Sequence, residues 1–171
     1  MDKIDDGPAY DPEPARLYRQ VVAQERADRE EAGRVAGRAL AGVQPAAPAK
    51  LAAVCSKGGG RINQHFGHAQ EFLVFEVDGA GVRFVGHRKA GAYCRGGYGD
   101  DDRMKTILTA LNGIDAVFVA KIGRCPKDEL AKAGIEAIDG HAFAYIETAV
   151  ATWYADRFAA AATPARAARH A

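Results

Sequence analysis

Two histidines and two cysteines stand in glycine-rich, basic stretches of this chain. His65 and His68 are three residues apart and follow a run of three glycines at 58–60, while Cys94 and Cys125 stand in two later stretches of similar character. Neutral imidazoles and thiolates are ligands that soft or borderline metal centres prefer. Three consecutive glycines also free the loop backbone from the steric limits that a Cβ imposes. We therefore predict a metal centre whose candidate ligands are His65, His68, Cys94 and Cys125.

Positive charge accompanies all three stretches. The basic side chains near the candidate ligands are Lys57, Arg61, Arg95, Lys121, Arg124 and Lys127. Glycine amides and helix N-termini also favour anions, and iron–sulfur clusters carry sulfides that accept hydrogen bonds. The sequence therefore favours a site that holds a preformed iron–sulfur cluster loosely and can release it. The candidate cluster-binding residues are Lys57, Gly58, Gly59, Gly60, Asn63, His65, His68, Cys94, Arg95, Arg124 and Cys125.

Each of these features also has a purely structural interpretation. Glycine runs are common in turns that bind nothing, and a single histidine is more often a surface residue than a ligand. Cys125 could serve only as a residue of a helix N-terminus. Cys55 lies in an apolar stretch and is predicted to be a small core residue. His87 and His141 lack comparable neighbours and are assigned structural roles.

Composition limits the possible functions. The 171 residues suffice for one domain of ordinary size, and a hydrophobic fraction of 48% supplies an alanine-rich core. A net charge of +1 gives no general attraction to nucleic acid or to an acidic membrane surface. Three cysteines do not fit a disulfide scaffold, and no secretory or membrane-spanning segment is apparent. We therefore expect a cytoplasmic protein that binds neither nucleic acid nor membrane.

The elements that position the candidate ligands follow an N-terminal extension. Residues 1–50 combine a charged helix, predicted from Ala15 to Leu40, with a linker rich in proline and alanine. The helix has a thin apolar face, so we expect it to be largely solvated or to need a partner. The compact domain is predicted to span 51–160, and the tail at 161–171 is predicted to be disordered.

Hydrophobic patterning in the domain predicts the order β-β-β-α-β-α-β-α, an α/β fold with a mixed five-stranded sheet flanked by helices. The predicted strands are 51–55, 71–77, 82–87, 116–120 and 135–138. The helices are predicted to start at Asp100–Asp102, at Cys125–Pro126 with proline in the first position, and near Ala142 with an apolar stripe from Phe143 to Phe158.

Topology suggests how the three stretches meet. If the first and fourth strands are parallel neighbours, the glycine loop and residues 123–125 lie at one edge of the sheet, because ligands in open α/β sheets bind beyond the carboxyl ends of the strands. The stretch from Tyr93 to Gly99 is expected to fold over that edge as a loop. The sequence thus predicts one shared, positively charged site.

Four motifs, in this order, resemble the dinitrogenase iron–molybdenum cofactor binding domain family, which has NifX- and NafY-like members. They are Ser56–Gly60, Asn63–Ala69, Tyr93–Gly99 and Ala120–Leu130, and the similarity covers roughly residues 51–158. Within the family the match is closest to a NifX-like domain that forms the C-terminal part of a larger cofactor biosynthesis protein. Residues 10–40 are similar to the charged helical connector that precedes that domain.

The resemblance implies an RNase H-like fold and binding of the iron–molybdenum cofactor or its iron–sulfur precursor, without catalysis. The family's cluster-binding histidine motif falls on His65 and His68, with Cys94 and Cys125 as further candidates. The implied partners are nitrogenase cofactor assembly proteins, namely a radical S-adenosylmethionine domain that builds the precursor and NifX- or NifEN-type scaffolds. The sequence lacks that radical domain's close-set cysteine motif, so we do not expect its activity here.

Two other functions stay open. RNase H-like sheets also carry nucleases, but these need clustered carboxylates for paired metal ions, and the carboxylate nearest the glycine loop is Glu71. A partner-docking or regulatory module of nitrogenase assembly would instead use the first 40 residues to bind a partner helix.

Overall fold

The computed structural model describes residues 13–91, 94–95, 98–99 and 101–160, with the side chains of 94, 95, 98, 99 and 101 left aside. The predictions for Tyr93, Gly96, Gly97 and the tail at 161–171 lie outside the described residues. Four α-helices are described: α1 (Glu13–Leu40), α2 (Asp101–Ala110), α3 (Arg124–Lys132) and α4 (Ile146–Phe158). The described strands are β1 (Lys50–Val54), β2 (Glu71–Asp78), β3 (Gly81–Lys89), β4 (Cys94–Arg95), β5 (Tyr98–Gly99), β6 (Ala116–Phe118) and β7 (Glu136–Ile138).

The predicted mixed five-stranded sheet is confirmed, with the strand order β3-β2-β1-β6-β7. The hairpin of β2 and β3 turns at Asp78, whose carboxylate accepts hydrogen bonds from the Ala80 and Gly81 amides at 2.8 and 3.2 Å. β1 is antiparallel to β2 and parallel to β6, which in turn is parallel to β7. The carboxyl ends of β1 and β6 therefore meet at one edge of the sheet, together with the start of β2 and the end of β3.

Alternate residues of β1 face two separate cores, as a strand covered on both faces requires. Ala52 and Val54 belong to a cluster that includes residues of α1 and α4, such as Leu40 and Tyr154. Ala53 lies on the opposite face, in a cluster with apolar residues of α2 and α3. Helices thus cover both faces of the sheet. In the described part of the chain, no helix is long and apolar enough to cross a bilayer.

α1 contacts the domain along only part of its length. Its buried residues are Ala32, Ala36 and Leu40, and the Thr148 hydroxyl of α4 donates a hydrogen bond to the Ala32 carbonyl at 3.0 Å. The N-terminal half of the helix instead exposes four large apolar side chains, Leu17, Tyr18, Val21 and Val22. The small side chains of Ala32 and Ala36 let α1 and α4 approach closely, while the four large apolar side chains of the N-terminal half remain in solvent.

Two helix starts differ from the prediction. α3 begins at Arg124, so Pro126 is its third residue; a proline fits there because the amides of the first turn have no partner within the helix. α4 begins at Ile146, and Phe143 is 66% exposed with a φ of 66°, outside the apolar stripe. The Phe143 amide donates to the Ile62 carbonyl at 2.8 Å, which holds this segment against the glycine loop.

The stretch predicted as a loop at 93–99 contains short strands. β4 and β5 pair antiparallel with each other, in a ladder separate from the main sheet. A strand of two residues is too short to show an alternating hydrophobic pattern, so the sequence predicts only a loop here.

Candidate functional site

The glycine run follows β1 and makes a tight turn. Gly58, Gly59 and Gly60 all have positive φ, at 112°, 70° and 68°, which explains why residues without a Cβ stand there. The Asn63 side chain closes the turn: its Oδ1 accepts from the Lys57 amide at 2.7 Å and its Nδ2 donates to the Gly58 carbonyl at 3.2 Å. Asn63, a candidate cluster-binding residue, thus holds the loop in shape.

The glycine loop is joined to the segment that follows β6. The Ala120 amide donates to the Gln64 carbonyl at 3.0 Å, and the Phe66 amide donates to the Lys121 carbonyl at 2.9 Å. These bonds form a parallel bridge between His65 and Lys121. The two loops therefore meet at one edge of the sheet, as the parallel pairing of β1 and β6 requires.

The two candidate histidines are both exposed: His68 ends a short 3-10 helix at Phe66–His68, and His65 is the residue that precedes it. Their rings stack nearly parallel, with centroids 5.7 Å apart and an angle of 12° between the planes. Phe66 between them is fully buried and packs on Phe72, with ring centroids 6.0 Å apart. A buried aromatic thus anchors two imidazoles that face solvent on one side.

The two described thiols have different environments. Cys125 is exposed in the first turn of α3, where the helix dipole favours an anion. Cys55 is fully buried, as predicted for a core residue, and burial raises the pKa of its thiol. Cys55 therefore stays protonated inside the domain and is not available as a metal ligand.

Cys94 and Arg95 form β4, and their side chains lie outside the described ones. Gly91, three residues before Cys94 in the sequence, lines a groove with a volume of about 590 Å³. This groove, called the edge groove below, is lined by Ser56, Lys57, Gln64, His68, Gln70, Glu71, Lys89 and Gly91. Among the described side chains no three of His, Cys, Asp and Glu come together as a metal site.

Sequence analysis missed Lys89 and Gln70 as residues of the edge groove. The signal was available in the predicted hairpin: since β2 runs antiparallel to β1, the start of β2 and the end of β3 must lie beside the glycine loop. The predicted hairpin shows which end of β2 and β3 lies beside the glycine loop. The pairing register of the two strands then shows that Gln70 and Lys89 lie at that end.

Three of the predicted basic residues have partners within the protein: Arg124 lies 3.9 Å from Asp128 on the same helix, and Arg61 and Lys127 contact other segments. Arg61 lies 4.1 Å above the Tyr145 ring and donates to the Tyr145 hydroxyl at 2.8 Å and to the Phe143 carbonyl at 3.1 Å. Lys127 pairs with Asp139 at 3.3 Å. The Arg61 and Lys127 side chains are therefore engaged in contacts that hold loops together.

The mixed sheet brings a glycine turn and a histidine pair to the carboxyl ends of its parallel strands, where a cysteine-bearing helix also begins, and sequence comparison identifies the family. Residues 49–156 match the dinitrogenase iron–molybdenum cofactor family, and the chain belongs to it.

Curated relatives include proteins named FeMo cofactor biosynthesis protein NifB. The protein from Rhodobacter capsulatus is 49% identical over 158 residues, covering 92% of this chain and 35% of the relative. The one from Sinorhizobium fredii is 44% identical over 167 residues, covering 98% of this chain and 34% of the relative. The chain thus spans about a third of the length of these relatives. A crystal structure of PH0822 superposes with a TM-score of 0.44 at 16% identity, covering 64% of this chain and 94% of that protein.

Proposed function

We propose that this protein carries an iron–sulfur precursor cluster of the iron–molybdenum cofactor during its biosynthesis. The observation that supports this most directly is the exposed, stacked pair of His65 and His68 beside the edge groove. Membership of the iron–molybdenum cofactor family and the names of its relatives support the same cargo.

In this proposal the imidazoles ligate iron, and the exposed Cys125 at the start of α3 adds a sulfur ligand. Cys94, Arg95 and Arg124 are proposed to complete the site, with the glycine loop amides around it. The ligands are exposed, so a cluster could enter and leave without unfolding the domain. No bond in the cargo is made or broken by the protein, so the role is that of a carrier and not of an enzyme.

The proposed partners are nitrogenase cofactor assembly proteins in the cytoplasm. By the resemblance they are the radical S-adenosylmethionine domain of NifB, which would supply the precursor, and a NifX- or NifEN-type scaffold, which would receive it. An RNase H-like arrangement is proposed for the sheet on the same ground.

The test is an anaerobic titration of isolated precursor cluster into the wild type and into a His65→Ala, His68→Ala double variant. We expect the double variant to lose binding at least tenfold, since two of the proposed iron ligands are removed and only the cysteines and the basic charge remain to hold the cluster. His141→Ala is the matched control, because His141 lies near Phe118 and does not line the edge groove. Equal binding by the double variant and the wild type would remove the histidines from the site.

A second candidate function, a partner-docking module, is favoured by the exposed stripe of Leu17, Tyr18, Val21 and Val22. On a helix, these positions lie on one side, and it is the same side as the buried Ala32 and Ala36. A Leu17→Gln, Val21→Gln variant should keep its cluster affinity and lose affinity for a NifEN-type scaffold, measured by light scattering of the mixed proteins. Unchanged association would leave the stripe without this role.

A further inference from the structure

We infer that the edge groove binds polyanions by charge, with Lys57 and Lys89 as its cationic contacts. The inference deepens the proposed function, because the anion held there would be the cluster cargo. It also assigns a binding role to Lys89, the last residue of β3, which lies 32 residues after Lys57 in the sequence and lines the same groove.

The lysines of the described chain divide into two groups. Four of the seven at positions 13–160 have a carboxylate within 3.3 Å: Lys50 with Asp115, Lys105 with Asp102, Lys127 with Asp139, and Lys132 with Glu129. The other three, Lys57, Lys89 and Lys121, have no carboxylate partner among the described residues. Two of these line the edge groove, and the third is bridged to His65. The described lysines that lack a carboxylate partner are thus concentrated at one edge of the sheet.

The single carboxylate of the edge groove does not neutralise Lys89. Glu71 stands directly opposite Lys89 in the register of β2 and β3, where opposite charges could pair. Its carboxylate instead lies 3.9 Å from Nδ1 of His87. The Lys89 ammonium therefore remains available to a ligand.

Backbone hydrogen bonds fix the wall that carries Lys89. The amides of Ala90 and Gly91 both donate to the Gln70 carbonyl, at 3.1 and 3.2 Å. This clamp joins the end of β3 to the residue that precedes β2, just after the 3-10 helix that carries His68. On the other wall, Lys57 sits in the turn that Asn63 closes. The two lysines are therefore carried by separate segments, the end of β3 and the glycine turn, and each segment is fixed by hydrogen bonds.

The expected ligand is a compact anion with several acceptor atoms and more than one negative charge, since two ammonium groups and one imidazole face it. Binding of this kind needs no metal–ligand bond. It should weaken as salt rises, because exposed charges are screened over about 10 Å at 0.1 M ionic strength.

The test uses tripolyphosphate, a metal-free polyanion, titrated into the full chain by calorimetry at several salt concentrations. We expect Lys57→Gln and Lys89→Gln each to weaken binding by about three- to tenfold and to flatten its salt dependence. Lys132→Gln removes the same charge from the far end of α3 and should change the affinity less than twofold. Equal loss in all three variants, or no loss in the groove variants, would overturn the inference.

This experiment separates the inference from the proposed function. If tripolyphosphate fails to bind while the precursor cluster still binds through the histidines, the edge groove is not a polyanion site and the carrier role stands. If tripolyphosphate binds as expected while the histidine double variant keeps full cluster affinity, histidine ligation is wrong and the polyanion groove stands.

Discussion

His65 and Lys121 lie opposite each other in a parallel bridge, beyond the last paired residues of β1 and β6. This isolated bridge includes the hydrogen bond from the Phe66 amide to the Lys121 carbonyl at 2.9 Å. A ligand-bearing loop is usually mobile, but here backbone pairing fixes the first histidine to the segment that leads to Cys125. The bridge therefore joins two of the predicted motifs, Asn63–Ala69 and Ala120–Leu130, into one structural unit.

Phe66 should link stability to cluster binding. Its side chain is fully buried and contacts Phe72, so Phe66→Ala is expected to lower the free energy of unfolding by about 3–5 kcal/mol. The imidazoles on either side would lose their anchor, and cluster affinity should fall with stability. Urea denaturation and the anaerobic titration measure the two effects. Phe143→Ala is the control, because an aromatic that is 66% exposed should change stability by less than about 0.5 kcal/mol; equal losses in the two variants would show that burial is not the cause.

A substitution in the glycine loop can measure the cost of an unfavourable backbone conformation without any steric clash. A Cβ at Gly59 would meet no atom within 4 Å, yet the φ of +70° is unfavourable for alanine. We expect Gly59→Ala to destabilise the fold by about 1–2 kcal/mol. Gly33→Ala, in α1 and equally free of neighbours, should stabilise the protein by about 0.5–1 kcal/mol, since alanine favours helix. Thermal melts of both variants should shift in opposite directions, and shifts of the same sign would contradict this account.

Local sequence patterns were enough to predict the five-stranded sheet and to single out His65 and His68 as candidates. Contacts between residues far apart in the sequence could not be predicted from such patterns. The Asp78 turn and the apolar strands carry their own signals, and the order of strands follows from connection rules. Arg61 illustrates the limit: its charge and position predict a role in the basic site, but its partner Tyr145 lies 84 residues away in the sequence. The apolar spacing likewise predicts that Phe143 belongs to the last helix, because a helical period carries no sign of its hydrogen bond to the Ile62 carbonyl.

The two described cysteines should differ in reactivity. Cys125 is exposed at the start of α3, whereas Cys55 is buried and its pKa is raised by that burial. Iodoacetamide at pH 8 should therefore alkylate Cys125 in the folded protein and leave Cys55 unmodified until denaturant is added, as peptide mass spectrometry would show. Rapid labelling of Cys55 under native conditions would contradict the buried position.

Asp78 should contribute to stability in a pH-dependent way. The Arg83 guanidinium, which donates to its carboxylate, lowers the pKa of Asp78 to about 2. A folded-state pKa below the unfolded value of about 3.9 means that the contribution is present above that value and is lost as pH falls toward 2. Asp78→Asn should therefore lower the urea midpoint at pH 7 and have a smaller effect at pH 2.5. Asp156→Asn, an exposed aspartate on α4, is the control and should show no such convergence.

Arg61 provides the sharpest distinction between a residue that builds the site and one that binds the cargo. Its guanidinium bonds Tyr145 and Phe143 and lies 3.6 Å from the Glu25 carboxylate, which also accepts from the Tyr145 hydroxyl at 3.2 Å. Desolvation raises the pKa of Tyr145, so this hydroxyl stays protonated and keeps donating.

Because its charge is used within the protein, Arg61→Gln should lower the free energy of unfolding by about 1–2 kcal/mol and change tripolyphosphate affinity less than twofold. Arg61→Lys should lose nearly as much stability, since a lysine cannot reproduce the planar contacts with ring, hydroxyl and carbonyl. Lys57→Gln should show the reverse, with little change in stability and weaker anion binding. If Arg61→Gln weakened anion binding as much as Lys57→Gln and Arg61→Lys restored it, the guanidinium would belong to the cationic surface of the site and not to its scaffold.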